Sequence, residues 1–176
     1  MFDFLFGGGA VKTRLVARED ALPGRSSRPY LLSGTHAVLG TPIDAPTPAG
    51  MDEIVVGMGC FWGAERLFWR LDGVWTTAVG YAGGYTPNPS YEETCTARTG
   101  HAEVVRVVFD PAVLPLDRVL QTFWEGHDPT QGMRQGNDVG SQYRSTLYWT
   151  TPEQRAAAER TRDAYAARLA TRGHGE

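Results

Sequence analysis

After residue 52 the sequence alternates between short runs rich in β-branched and aromatic residues and longer runs with apolar residues at helical spacing. Runs of the first kind predict strands, and runs of the second kind predict amphipathic helices. The predicted strands are 53–57, 74–81, 102–109 and 144–150, and the predicted helices are 61–71, 115–126 and 152–170. Strand, helix and strand follow one another twice before a last helix. This order predicts an α+β fold, a two-layer sandwich with a split β-α-β (ferredoxin-like) core and a sheet covered by helices.

Residues 1–50 differ from the rest of the chain because they lack sustained periodicity and contain many glycines and prolines. This composition predicts a loop-rich N-terminal extension, either draped on the domain or partly disordered. The 176 residues are enough for one sizeable hydrophobic core. We therefore expect a single folded domain at 51–176, preceded by the extension.

The charge pattern limits the classes of partner. The net charge is −3, with acidic and basic residues mixed along the chain, so there is no basic surface for nucleic acid or an anionic membrane. No apolar run is long enough to span a bilayer, and the short apolar start lacks the features of a signal peptide. We expect a soluble, cytoplasmic protein.

The motif Gly59-Cys60-Phe61-Trp62-Gly63 lies where the first predicted strand meets the first predicted helix. A cysteine here is expected on the first turn of the helix, where the helix dipole stabilises the reactive thiolate. Glycines permit a tight turn and close approach of a ligand, and two aromatic rings suit a small apolar group. Cys60 is therefore the candidate nucleophile. The only other cysteine, Cys95, has no such surroundings and is interpreted as a buried, inert thiol.

Glu103 lies near the start of the strand 102–109, whose two faces are both largely apolar. If the face that contains Glu103 points to the core, desolvation would raise the pKa of its carboxyl group and suit it to general acid catalysis. If the other face does, Glu103 is a strand-end carboxylate in water. The strand pattern alone slightly favours the second interpretation.

Three further polar residues lie in the predicted long loops. Tyr91 and Tyr143 carry phenols, which are neutral hydrogen-bond donors, and Asp138 follows a glycine and an asparagine. By themselves, two such tyrosines are more commonly half-buried loop residues, and the sequence around Asp138 is typical of an Asx turn.

The histidines of the chain suggest two other kinds of site, a metal site and a hydrolase dyad. His36, His101, His127 and Glu103 could ligate a metal, but their spacing places no two of them on one helical face, and we predict no metal site. A Cys60–His101 dyad would make the protein a thiol hydrolase. Such an enzyme also needs an oxyanion hole and a third group that orients the histidine, and the sequence specifies neither.

Taken together, the separated motifs closely resemble those of the A-type peptide methionine sulfoxide reductases, in the same order and over most of the chain. The matching segments are 21–25, 59–63, 80–84, 88–91, 100–103, 123–129, 135–138 and 142–145. The resemblance implies that 51–176 is a catalytic reductase domain. It also implies repair of oxidised proteins, without a metal or organic cofactor.

The resemblance assigns roles to individual residues. Cys60 would be the nucleophile, Glu103 the acid that protonates the sulfoxide oxygen, and Tyr91 and Tyr143 the hydrogen-bond donors to that oxygen. Asp138 would support the site through hydrogen bonds. A further pair, Phe61 and Trp62, would hold the S-methyl group of the substrate.

The implied reaction reduces methionine S-sulfoxide, free or in proteins, to methionine and leaves a sulfenic acid on Cys60. Thioredoxin or a small thiol would then reduce the sulfenic acid, and the protein would act as a monomer. Members of the family commonly continue beyond the last helix with a segment that carries a resolving cysteine, which this chain is expected to lack. The alternative reading is therefore a truncated chain that binds sulfoxide peptides but recycles poorly.

Overall fold

The computed structural model describes residues 12–174. Its centre is a four-stranded antiparallel sheet of β1 (Asp52–Met58), β2 (Val74–Ala82), β3 (Ala102–Phe109) and β6 (Ser145–Tyr148). The spatial order is β2-β3-β1-β6. Both β1 and β2 pair antiparallel with β3, so they run in the same direction with β3 between them. This is the predicted split β-α-β core, and its fold class is confirmed.

Four helices and a small hairpin complete the described chain. They are α1 (Phe61–Phe68), α2 (Tyr91–Cys95), α3 (Leu116–Glu125), α4 (Pro152–Thr171) and the two-residue strands β4 (Arg134–Gln135) and β5 (Asp138–Val139). Short 3-10 turns lie at Arg18–Asp20 and Ser141–Tyr143. The sequence did not predict α2, β4 or β5, because elements this short carry no measurable periodicity.

The longer elements agree closely with the sequence. The bounds of β3 match the prediction, and α3 differs from it by one residue at each end. Helix α1 ends at Phe68 rather than residue 71, because the chain leaves the helix in a turn that leads to Gly73 at φ +96°. Only a glycine adopts that backbone angle without strain, so the turn fixes where β2 begins.

One face of the sheet packs against α1, α3 and α4. Val105, Val107 and Phe109 of β3 lie in this core together with Phe68 and Phe123 from the helices. Glu103 belongs to the same stripe of β3, so the face that contains Glu103 points to the core. The first of the two interpretations of this strand is therefore correct.

Helix α4 lies beside α3 and contacts it through side chains of both helices. The Trp124 indole donates a hydrogen bond to Thr161 at 3.0 Å, and its ring stacks on Tyr165 with centroids 5.9 Å apart. The Gln154 side chain donates to the carbonyl oxygen of Glu53 at 2.8 Å. These contacts tie α4 to both α3 and β1.

The described part of the extension, residues 12–50, runs mainly as loops across the other face of the sheet. Arg106, on the opposite side of β3 from Glu103, donates to the carbonyl oxygens of Ile43 at 3.3 Å and Ala45 at 3.1 Å. Arg106 also pairs with Glu53 at 2.7 Å. Residues 1–11 of the predicted extension and 175–176 of the predicted domain lie outside the described residues.

Within residues 12–174, none of the helices has both the length and the apolar character that crossing a bilayer requires.

Candidate active site

The candidate nucleophile lies at the junction of β1 and α1. Cys60 is the N-cap residue of α1, one position before the predicted first turn, and its side chain is exposed. Gly59 precedes it at φ +88°, and a Cβ atom on Gly59 would lie only 2.5 Å from the Cβ of Gln135. The turn therefore requires glycine for both its backbone angle and its contact with the loop opposite. The thiol is left at the start of α1, where the first backbone N–H groups have no carbonyl partner within the helix.

Glu103 lies beside the same helix start. Its side chain is only 2% exposed, and its Oε2 accepts a hydrogen bond from the N–H of Phe61, the residue after Cys60, at 3.2 Å. The pKa of Glu103 is raised to about 7, chiefly by burial; the Phe61 N–H opposes the rise, and the charge of Asp138 adds to it. A large fraction of this carboxyl group is therefore protonated at neutral pH, as a general acid requires.

Three tyrosines lie close enough to this carboxyl group for its charge to raise the pKa of each phenol. Burial, and then the charge of Glu103, raise the pKa of Tyr81 well above its ordinary value. The same two causes raise the pKa of Tyr143 to about 12. The pKa of Tyr91 is raised chiefly by its hydrogen bond with Cys95. All three phenols stay protonated near neutral pH, so each can donate a hydrogen bond.

Tyr91 and Cys95 are the first and last residues of α2, one helical turn apart. Tyr91 is 55% exposed and Cys95 is partly buried, which differs from the predicted fully buried thiol. The charge that Cys95 would carry raises the pKa of Tyr81 and Tyr143 as well. The second thiol therefore lies at the edge of the same site rather than elsewhere in the core.

Phe61 and Trp62 supply the aromatic surface beside Cys60. Phe61 is 8% exposed and packs on Tyr81, with ring centroids 5.7 Å apart. Trp62 is 73% exposed, and its ring lies 6.4 Å from that of Phe61. One ring is thus a fixed wall, whereas the other is open to a ligand from solvent.

Asp138 lies on the exposed hairpin as the first residue of β5, rather than in an Asx turn. Among residues 12–174 its carboxylate makes no hydrogen bond, but its charge raises the pKa of Glu103 and of Tyr143. In the structure Asp138 therefore acts on the site through its charge.

The sequence from β1 to the end of α4 also matches a known family. The model of the peptide methionine sulfoxide reductase family matches residues 52–172. The chain belongs to this family. The family makes it an oxidoreductase, and its reaction is the thiol-dependent reduction of methionine sulfoxide to methionine.

Individual relatives extend the match into the N-terminal extension. The peptide methionine sulfoxide reductase MsrA of Maricaulis maris is 63% identical over 166 residues, 93% of this chain and 75% of the relative. That of Rhodospirillum centenum is 60% identical over 164 residues, covering 93% and 74%. The structure of methionine sulfoxide reductase A of Corynebacterium diphtheriae is 49% identical with a TM-score of 0.84, covering 93% of this chain and 77% of that one. Reduced Mxr1 of Saccharomyces cerevisiae is 31% identical with a TM-score of 0.66, covering 70% and 72%.

His101 does not form a dyad with Cys60 in this reductase. Its Nδ1 accepts the N–H of Gly84 at 3.1 Å, so its proton is on Nε2, which donates to the carbonyl oxygen of Thr86 at 2.8 Å. Both ring nitrogens therefore hold the loop after β2, and neither is available as a base. The hydrolase alternative is wrong for this reason.

The other two candidate histidines are engaged separately. His127 donates from Nδ1 to the carbonyl oxygen of Phe123 at 2.7 Å and accepts from Ser145 at 2.8 Å, and burial lowers its pKa. His36 is buried beneath the extension and contacts Thr77 at 2.8 Å. No group of three potential metal ligands occurs within residues 12–174.

Tyr81 is the residue of this site that sequence reasoning did not select. It is the direct cross-strand partner of Glu103 in the β2–β3 register. The only sequence signal is its place in the segment 80–84, and nothing in that segment reveals which residue of β3 lies opposite. Pairing register depends on packing across the whole sheet, which one segment does not contain.

Proposed function

We propose that this reductase acts on the S epimer of methionine sulfoxide, with Cys60 as the nucleophile and Glu103 as the acid. The observation that supports this most directly is the pairing of an exposed thiol at a helix start with a buried carboxyl group on the adjacent N–H. A nucleophile and an acid that lie at the same helix start suit a substrate whose leaving oxygen must be protonated.

The proposed reaction conserves atoms and electrons. The Cys60 thiolate attacks the sulfur of the sulfoxide to form a sulfur–sulfur bond, while Glu103 protonates the sulfoxide oxygen; a second proton from solvent lets the sulfur–oxygen bond break with release of water. Water then attacks the Cys60 sulfur, the sulfur–sulfur bond breaks with its electron pair going to the methionine sulfur, and the proton of the attacking water is released. The products are methionine and a sulfenic acid on Cys60, so the substrate sulfur is reduced while the cysteine sulfur is oxidised. Glu103 suits the acid role because burial keeps it largely protonated at a pH where an exposed carboxyl group is ionised.

Tyr91 and Tyr143 would donate hydrogen bonds to the sulfoxide oxygen, since both phenols stay protonated at neutral pH. Donors aimed at an oxygen that gains negative charge stabilise the transition state more than the bound substrate. Asp138 would support the acid, because its charge keeps more of Glu103 protonated.

Phe61 and Trp62 would hold the S-methyl group between a buried and an exposed ring. An apolar methyl group gains from contact with aromatic surface, whereas the polar sulfoxide oxygen is left facing the carboxyl group and the phenols. This arrangement would orient the sulfur toward Cys60.

The sulfenic acid must be reduced before the next turnover. One thiol forms a mixed disulfide with Cys60 and releases water, and a second thiol then restores the Cys60 thiol. We propose thioredoxin or a small thiol as the reductant and oxidised proteins or free methionine sulfoxide as substrates. We also propose that the protein is a monomer in the cytoplasm, in which 51–176 form the reductase domain and 1–50 form its extension.

The test is a single-turnover assay on a chiral sulfoxide, with Cys60→Ser as the variant and Cys95→Ser as the matched control. The unaltered protein and Cys95→Ser should each release one methionine per chain, with the extra oxygen found on Cys60 by mass spectrometry. Cys60→Ser should release none, even with excess dithiothreitol. Retained activity in Cys60→Ser would refute the assignment, and binding without methionine release would favour a binding protein instead.

A further inference from the structure

Two residues of the extension, Leu22 and Arg25, are hydrogen-bonded to the loop between β2 and β3. The N–H of Leu22 donates to the carbonyl oxygen of Arg98 at 3.0 Å, and the hydroxyl of Thr86 donates to the carbonyl oxygen of Leu22 at 2.8 Å. The N–H of Arg25 donates to the carbonyl oxygen of Pro87 at 3.1 Å. The extension therefore contacts this loop on both sides of α2, the helix that begins with Tyr91.

The guanidinium of Arg25 makes a two-pronged contact with Glu93 in the middle of α2. Its Nη1 donates to Oε2 at 2.9 Å and its Nη2 donates to Oε1 at 2.8 Å. Nη1 also donates to the carbonyl oxygen of Asn88 at 2.8 Å. A fork-to-fork pair fixes the direction as well as the distance between two groups, which a single charge contact does not.

Glu93 is also half of the cap of α2. Its Oε2 accepts the N–H of Ser90 at 2.8 Å, and the Ser90 hydroxyl accepts the N–H of Glu93 at 3.2 Å. A helix of five residues closes very few internal hydrogen bonds and is not stable by itself. Its position therefore depends on this capping box and on the arginine that holds the same carboxylate.

The backbone shows that the contact is tightly constrained. Gly24 lies at φ +67°, and a Cβ atom there would lie 2.8 Å from the Cδ of Pro87. Asn88 lies in the left-handed region at φ +47°, and its side chain donates to the carbonyl oxygen of Arg25 at 3.0 Å. An unstrained glycine and an asparagine in a strained conformation thus bring the extension and the loop together.

We propose that Arg25 is a positioning residue for the reduction of the sulfoxide: by holding Glu93 it fixes α2, and so places the phenol of Tyr91 over the sulfoxide oxygen. This inference rests on the proposed function, in which Tyr91 is a donor to that oxygen. The extension is then part of the catalytic machinery, although none of its described residues needs to touch the substrate.

The test compares Arg25→Met with a matched control, Arg28→Met. Arg28 belongs to the same extension and pairs with Asp44 at 2.8 Å, but both of those side chains are exposed. Arg25→Met should lower kcat/KM about tenfold, within the hundredfold that a displacement of about 1 Å can cause. Arg28→Met should stay within about twofold of the unaltered protein, since exposed pairs contribute little.

A second arm repeats Arg25→Met in a Tyr91→Phe background. Because Arg25 acts through Tyr91, its removal should change kcat/KM less than about twofold when the phenol is already absent. An equal loss in both backgrounds would overturn the positioning role while leaving the proposed function intact. An unchanged kcat/KM in Tyr91→Phe alone would instead refute the role of Tyr91 in the proposed function, and the inference with it.

Hydrogen exchange gives a readout that does not depend on activity. Arg25→Met should speed exchange of the amides at 93–97, and Arg28→Met should not. If Arg25→Met does not fold, Arg25→Lys and Glu93→Gln replace it, because each keeps part of the contact. Both should show a smaller loss of kcat/KM and a smaller increase in exchange. Unchanged exchange in all three variants would overturn the inference.

Discussion

Glutamine at position 103 would test how strongly the fold desolvates this carboxyl group. Burial raises the pKa of Glu103 from 4.5 to about 7, so between these values the folded protein holds a proton that the unfolded chain has released. The stability from this proton is fully present below about pH 4.5 and is lost as the pH rises through about 7. At about 1.4 kcal/mol per pH unit, the loss amounts to about 3 kcal/mol.

Glu103→Gln removes this dependence while retaining an oxygen that can accept the N–H of Phe61. The variant should therefore be stabilised relative to the unaltered protein as the pH rises, and the difference between them should change by about 3 kcal/mol between pH 4.5 and pH 8. Urea unfolding at several pH values measures this difference. Glu125→Gln, at an exposed position, is the control and should show no such change.

The same variant also tests catalysis. An amide cannot transfer a proton to the sulfoxide oxygen, so single-turnover reduction by Glu103→Gln should be slower at neutral pH by about a hundredfold or more. Lowering the pH should not restore the rate. If the two proteins lose stability in parallel with pH and reduce the sulfoxide equally fast, Glu103 is neither strongly desolvated nor the acid.

Two other substitutions test the framework of the site. Gly59→Ala should lower the free energy of unfolding by about 1–3 kcal/mol, because residue 59 has a φ of +88° and the added methyl group would meet Gln135. Gly63→Ala is the control and should be neutral or slightly stabilising, because the added methyl group would lie in open space. Equal effects in thermal unfolding would contradict this account of the turn. Arg106→Met should cost about 2 kcal/mol, because it removes the positive partner of Glu53 and leaves the carbonyl oxygens of Ile43 and Ala45 without this donor. Exposed Arg118→Met should cost less than about 0.5 kcal/mol. Urea unfolding at pH 7 measures both, and a neutral Arg106→Met would show that the extension is not held through this side chain.

The sequence by itself determined the longer elements and their order. Helices such as α3 and strands such as β3 repeat an apolar pattern several times, so each can be predicted without knowing the surface against which it packs. Local chemistry also selected Cys60, because glycines, aromatic rings and a strand-to-helix junction are adjacent in the chain.

Only the tertiary structure decided which groups meet Cys60. The strand pattern left both faces of β3 open and slightly favoured an exposed Glu103, whereas in the fold its side chain is buried beside the start of α1. Tyr81 lies in the site because the register of β2 on β3 places it opposite Glu103. His101 is not part of the site, because both of its ring nitrogens are hydrogen-bonded to the backbone of the loop. Register and side-chain partners depend on contacts between residues far apart in the chain, which no local pattern specifies. For the same reason the hold of Arg25 on α2, 68 positions away at Glu93, emerges only from the fold.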